Sequence, residues 1–512
     1  MPIQKIRDTG TVGILSDIHP ITLPANAWSE GNNVRMRNGR VEKVKGYREV
    51  LNGLPIAPWT LFFIPRVTNF LWVACGEDAV WVHNGTQWND ITRAAGAYTA
   101  DADVRWTGGL LGNDILILNN GSQDPQAWMA IDPATPLVDL ADWPANCKAN
   151  CVRPFNDFLI AVDVTEGADR HTDVLRWSHP ADPGAVPITW DYTDPSYDTG
   201  RILLEGGGVL IDLLPLRGIN IVYGETAAWA MQYVGGPFVF SFDKVFNQTG
   251  LLSRGCAAFY RGNHVCLTQG DVVIHDGIQS QSLVDGKRRN WIFNNIDATH
   301  YQKSYVAVNA AQEEVWICFP TAGHSRPNKA LVIEMTTLAC SERDLPEAGH
   351  VGYGAIETDT TPIDSMGEPY DVTDTIYDQV ASNPALYKPI IADQQNSKIY
   401  EAESGNVAAG DVFNSYIMRT DLELDNQRRL ATVTRVYPIL DGSGVVQVYI
   451  GGQAVPQGAV TWSGPYDFTI GEAYKVDTRV SGRYHAIKFE SSANVAWALS
   501  GFDVEYSLSG MQ

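Results

Sequence analysis

The sequence predicts an all-β fold. It has a central β-propeller of six or seven irregular blades, an N-terminal hairpin segment before it and a C-terminal β-sandwich-like domain after it. Three observations point there. Short apolar runs recur from about Trp59 onward, each followed by a Gly, Asn or Asp turn and a second run with an aromatic near its end. The unit returns at intervals of roughly 40 to 60 residues, in the range of propeller blades. Helical periodicity is scarce; only residues 136–144 are expected to hold a turn or two of helix.

The repeat can be followed along the chain. Runs 71–75 and 79–82 flank Gly76-Glu77-Asp78, and the Asn84-Gly85 pair that follows is a hairpin signal. Runs 115–118 and 158–162 come next, then 219–223 with 227–229, and 264–267 with 272–274. Runs 314–319 with 331–333, and 390–392 with 398–400, complete the series. Such short apolar runs suit strands buried on both faces, as when blades stack around an axis. No WD or kelch signature is present, and an array of plain β-sandwiches is the alternative.

These signals divide the chain into residues 1–57, a hairpin and assembly segment; 58–405, the propeller; and 406–512, an antiparallel β domain. Within the propeller, residues 354–381 form an acidic, strand-poor insertion carrying Ile363-Asp364, Tyr370-Asp371 and Tyr377-Asp378 at seven-residue spacing. It reads as a solvated or interface-forming loop. A calcium loop is the alternative, although the alternating oxygen ligands of an EF-hand are missing. In the last part, 431–437 and 445–450 flank Asp441-Gly442-Ser443-Gly444 as a hairpin, and 478–481, 484–489 and 497–504 complete a compact set with one apolar face.

Composition narrows the function. The chain has 512 residues, 45% hydrophobic and 19% charged, as ordinary soluble globular proteins do. A net charge of -22 argues against tight nucleic-acid binding, which depends on Lys and Arg. Seven cysteines exclude a fully paired intrachain disulfide framework, and Cys256, Cys266 and Cys318 read as small buried hydrophobes, pointing to a reducing cytoplasm. Residues 1–13 show no secretory h-region, and no apolar run approaches the roughly 20 residues of a membrane helix, so no membrane insertion is expected.

Catalytic motifs are not found. Gly206-Gly207-Gly208 lacks the Lys-Ser/Thr of a phosphate loop. Cys147 and Cys151 have no second Cys or His pair to complete a zinc site. His264 and Cys266 face one side of a strand and read as core. Carboxylates are abundant, but nothing singles out a glycosidase pair. No catalytic residue, metal or cofactor is expected.

One segment is more specific. Residues 23–47 run from Leu23-Pro24-Ala25-Asn26-Ala27-Trp28-Ser29 through Asn33-Val34-Arg35, the turn Asn38-Gly39 and a return strand ending in Gly46-Tyr47. This resembles the N-terminal segment of the tail hub or nozzle proteins of short-tailed bacteriophages, also called packaged-DNA stabilisation proteins. Residues 480–489 and 497–502 look like the closing strands of the same family. Physically, 23–47 is a β-hairpin anchored by Trp28, with Arg35, Arg37, Arg40, Lys43 and Lys45 along it. In so acidic a chain it complements an acidic neighbour, a subunit or phosphate. Trp28, Arg35, Arg37, Arg40, Lys43 and Lys45 are therefore the expected assembly contacts, with a merely solvated hairpin face as the alternative.

The resemblance implies a structural virion protein of the tail, assembled in the host cytoplasm. It implies a homo-oligomeric ring, usually a hexamer, between portal–adaptor connector proteins and tail tip, fibre or spike proteins. Double-stranded DNA would pass transiently through the channel, along an acidic wall that keeps phosphate from sticking. The rival is a soluble propeller that binds or cleaves glycans, which would use the many Trp and Tyr. Most of those aromatics fall inside strand runs, which favours a place in the core.

Overall fold

The computed structural model describes residues 2–66, 70–101, 105–112, 114–356, 386–425 and 429–508. Seven four-stranded antiparallel sheets follow one another along the chain. Each is laid down from inside to outside. The second strands, Phe70–Cys75, Ile115–Asn119, Phe158–Glu166, Ile219–Gly224, Asn263–Leu267, Glu314–Phe319 and Lys388–Asp393, are the most deeply covered elements. Apolar side chains of successive blades share buried clusters all the way round, from Val73 with Leu118 to Trp72 with Ile390. The fold is a closed seven-bladed propeller. The expected helix at 136–144 is instead the short outer strand Val138–Asp139 of the second blade. The one α-helix among the described residues is Arg289–Asn295.

Closure requires chain from both ends. The seventh blade takes Ala348–Gly354, Lys388–Asp393 and Lys398–Ala402 from late in the sequence, and its outermost strand, Tyr47–Val50, from the N-terminus. Tyr47 stacks on Tyr400 with ring centroids 4.9 Å apart. Gly46 lies so close to the chain beside it that a Cβ would sit 1.7 Å from the Val407 carbonyl oxygen. At the junction back to the first blade, a Cβ on Gly354 would meet the Phe63 ring at 2.6 Å. The Trp72 indole donates to the Ala355 carbonyl there, at 2.8 Å. The acidic repeat around Asp364, Asp371 and Asp378 lies outside the described residues.

The remaining strands make a two-sheet sandwich. One sheet holds Ile3–Arg7, Val34–Arg37, Arg40–Lys43, Ala431–Gly442, Val476–Gly482 and Trp497–Leu508; the other holds Glu30–Asn32, Ser415–Leu422, Val445–Gln453, Thr461–Thr469 and Tyr484–Ser491. Residues 1–57 are thus not a unit apart: 3–43 complete the C-terminal sandwich and 47–50 complete the propeller. Ile14 and Asn33 donate to the Cys340 and Glu342 carbonyls, so the N-terminal chain covers the outer edge of the sixth blade.

Blades four and five are joined by a buried polar chain whose proton positions are set by its ends. The Gly277 amide donates to His275 Nδ1 at 3.2 Å, so His275 Nε2 carries the proton and donates to the Tyr223 hydroxyl at 2.7 Å. Tyr223 donates to His264 Nδ1 at 2.7 Å, and His264 Nε2 donates to the Pro215 carbonyl at 3.0 Å. Both imidazoles are neutral in this arrangement. All seven cysteines are buried and free, and Cys266 lies 3.6 Å from His275 Nε2.

Burial holds His83, His275 and His485 down to about 4, lowers His264, and holds His350 well below the usual range. The unfolded chain binds protons at these five sites below about pH 6.5, where the native state refuses them, so stability falls as pH falls from about 6.5 towards 4. Each histidine contributes up to about 1.4 kcal/mol per pH unit in that window. The raised carboxyls of Asp124, Glu314 and Glu342 act in the opposite sense but are fewer. Thermal unfolding is expected to shift steadily downward between pH 6.5 and 4.5; a flat profile would mean that the histidines titrate freely in the folded protein.

Candidate assembly hairpin and its buried ionic seat

The basic hairpin forms as its sequence dictates. Val34–Arg37 pairs with Arg40–Lys43 around a turn in which Asn38 and Gly39 both have positive φ, 50° and 75°. Val34, Met36 and Val41 point into the sandwich core. That alternation turns Arg35 and Arg37 the other way, and the surface they meet is the propeller of the same chain.

Arg35 is the centre of the contact. Its side chain is 3% exposed, and its guanidinium clamps Glu403 with Nη2–Oε1 at 2.7 Å and Nη1–Oε2 at 2.8 Å. Its Nε lies 2.8 Å from Oε1 of Glu314, at the head of the second strand of blade six. Arg343, stacked 4.2 Å over the Trp316 ring, reaches the same Glu403 at 3.3 Å, and the Trp316 indole donates to Glu314 at 3.0 Å. Two arginines thus meet two carboxylates in a site closed to water. Burial opposes the Glu403 charge, but its arginine contacts prevail and lower its pKa. Glu314, desolvated and beside a second carboxylate, is pushed up. Just outside, Asn33 Nδ2 donates to Asp344 at 2.8 Å and Arg288 pairs with Glu342 at 2.6 Å.

The expected contact residues therefore separate into two groups. Trp28, 1% exposed, donates its indole N–H to the Thr9 carbonyl at 2.7 Å and packs on Phe502 and Phe489. Lys43 is buried against the Phe413 ring and donates to the Ala493 carbonyl at 2.9 Å; burial lowers its pKa. With Arg35, these two are internal and cannot meet a second molecule. Arg37 is half-buried and donates to Gln312. Arg40 is exposed and pairs with exposed Asp441 at 3.0 Å, and Lys45 is exposed. The acidic neighbour expected for this hairpin is in good part the chain's own propeller.

Sequence reading missed the acidic half of the site. Its signal was Glu314, the second of the Glu313-Glu314 pair, heading the apolar run 315–319, and Arg343 within the buried strand Cys340–Asp344. Glu403 has a positive φ of 62°, just past Lys398–Ala402.

No family model and no curated protein matches the chain. Solved structures similar to it include the WD40 β-propeller domain of Doa1, at 9% identity over 70% of this chain and 97% of that one, with a TM-score of 0.34. The β-propeller domain of Cps50 (Swd1) from Myceliophteria thermophila matches at 9% identity over 59% and 89%, with a TM-score of 0.35. Hsv2 of Kluyveromyces marxianus matches at 12% identity over 45% of this chain, which spans only 57% of that one, with a TM-score of 0.25.

Removing one member of a buried ion pair leaves an uncompensated charge, at a cost of about 3–5 kcal/mol. Arg35→Ala and Glu403→Ala are each expected to destabilise the protein by that amount in chemical denaturation. Arg40→Ala, which removes only an exposed pair, should cost about 0–1 kcal/mol. Equal effects at Arg35 and Arg40 would contradict the internal seat of Arg35.

Proposed function

We propose that this chain is a structural, non-enzymatic virion protein that forms the nozzle or hub ring of a short phage tail. The observation that carries the reading is where the two segments resembling that family lie. Val41 and Glu42 of the first pair directly with Leu499 and Ala498 of the second, in one sheet. Trp28 of the first packs on Phe489 and Phe502 of the second. Segments more than 400 residues apart thus form a single body, clasped to the propeller through Arg35.

In this proposal the DNA channel lies between copies. Side chains reach across the axis of the propeller, Arg105 before blade two to Gly349 of blade seven and Arg254 before blade five to Asn150 of blade three, so duplex DNA has no path through one subunit. Cyclic symmetry makes a pore from a solid subunit without covalent chemistry. Six copies, joined to connector proteins on one side and to tip, fibre or spike proteins on the other, would present an acidic wall along which DNA slides. The protein would assemble in the host cytoplasm and act in the virion tail. Contacts with other subunits fall to exposed groups: Arg40 and Lys45 on the hairpin, and apolar side chains such as Phe238, Ile278 and Tyr474, which are 77%, 80% and 71% exposed.

Negative-stain microscopy and native mass spectrometry of the purified chain, alone and with its connector, test the reading. Rings with a central hole are expected, and Arg40→Glu with Lys45→Glu should leave the subunit folded while weakening ring formation or docking. A monodisperse monomer that binds or cleaves an oligosaccharide would replace this function with the glycan-directed one. Unchanged assembly in the double variant would remove the hairpin from the subunit contacts.

A further inference from the structure

The face on which the innermost strands begin carries a second concentration of charge, at the mouth of the propeller axis. Arg105 stands just before Thr107–Leu111 of blade two, Asn150 and Arg153 lie in Cys147–Phe155 of blade three, and Arg254 stands just before Ala257–Tyr260 of blade five. The hairpin clasp, at the Glu314 and Glu403 ends of its strands, is on the opposite face.

The carboxylates at this mouth are already engaged. Asp212 receives Arg153 at 2.5 and 3.0 Å, with the Leu213 and Gly255 amides at 2.9 and 3.1 Å. Asp163 receives both arms of Arg170, at 2.8 and 2.6 Å, and the amide of Asn150. Among the described residues, Arg105 and Arg254 have hydrogen bonds to backbone carbonyls only. Arg105 Nη2 donates to Gly349 at 2.8 Å, with its guanidinium 4.3 Å over the Tyr305 ring, and Arg254 Nη1 donates to Asn150 at 2.6 Å. Nε and Nη1 of Arg105 are both buried without an acceptor.

Among the described residues, four guanidinium groups therefore face two carboxylates, and two of the four have no carboxylate in hydrogen-bond contact. Burial lowers the pKa of both Arg105 and Arg254, the mark of charge held away from water without full compensation. His350, beside them, is held neutral by burial and by Arg105 and Arg153, so it adds no positive charge. A cavity of about 150 Å³ opens here, lined among others by Arg105, Arg170, Ser253, Arg254, Gln302 and the carboxylate of Asp163, which Arg170 neutralises. Gln302 Oε1 is also without a partner, and turning that amide over presents an N–H₂ instead. Buried donors without acceptors are rare in folded proteins. Arginine forks are the geometry that recognises tetrahedral oxyanions.

We propose that the mouth of the propeller axis is a binding site for a small tetrahedral oxyanion of the phosphate class, held by Arg105 and Arg254 with Ser253 and Gln302 at its side. The cavity has room for an ion of that size but not for a duplex. Bound there, the anion would tie blade two to blade five across the axis. The site is independent of whether the chain assembles into a ring.

Thermal unfolding and isothermal titration calorimetry of the full chain at pH 7.5 and constant ionic strength test the site. Inorganic phosphate is the probe, sulfate its isostere, and acetate and chloride are comparisons. Phosphate and sulfate are expected to bind saturably and raise the unfolding temperature by several degrees. Acetate and chloride should do markedly less. Arg254→Gln, at the rim of the cavity, should weaken phosphate binding at least tenfold while leaving the protein folded, and Arg105→Gln should abolish it. Calorimetry on the unaltered protein keeps the test decisive if Arg105→Gln does not fold. Absence of saturable phosphate binding, a chloride effect of equal size, or unaltered binding in Arg254→Gln would each overturn the proposal.

Discussion

The structure depends on one constraint: the propeller closes only when a strand from the N-terminus becomes the outer edge of the last blade. Tyr47–Val50 must pair with Lys398–Ala402, and the residues just upstream are then placed over blades six and seven. Arg35 lies twelve residues before Tyr47 and finds Glu314 and Glu403 there, one from each of those blades. Gly46 leaves no room for a side chain, so the path between clasp and closure is narrowly set. Ring closure, hairpin position and sandwich completion are consequences of the same pairing.

Each half of the molecule carries its charges in a different state. At the hairpin the buried arginines and carboxylates balance, and the site acts as an internal seat. Among the described residues of the opposite face the arginines exceed the carboxylates, beside a cavity. Buried ion pairs contribute little net stability against an apolar alternative. What the balanced cluster supplies is geometry, because only one docking of hairpin on propeller satisfies every charge.

The runs legible in the sequence, 71–75, 115–118, 158–162, 219–223, 264–267, 314–319 and 390–392, are parts of the second strands of all seven blades. Those strands are covered by a blade on each side, so they are apolar on both faces and stand out. Inner strands are less visible because they carry polar axial residues such as Arg153 and Asp212, or glycines such as Gly108 and Gly109. Outer strands are short, and Ser280–Ser282 is wholly polar. A turn or two of helix was expected at 136–144, but the Leu137 and Leu140 amides donate to the Ile91 and Pro125 carbonyls and hold the chain extended. At the site, the hairpin and its Asn38-Gly39 turn were readable. Which neighbour covers its basic face was not, because Glu314 and Glu403 lie hundreds of residues away. The axial arginines left no local trace, since their surroundings come from at least five blades.

Native-state hydrogen exchange on the wild type and on Glu403→Gln is the most direct measurement of the coupling between clasp and closure. Amides of Val34–Arg37 and of Tyr47–Val50 should lose protection together in the variant, while the second strands of blades two to four keep theirs. Loss confined to the hairpin, with Tyr47–Val50 as protected as before, would contradict the account, because ring closure and the Arg35 clasp would then be separate features of the fold.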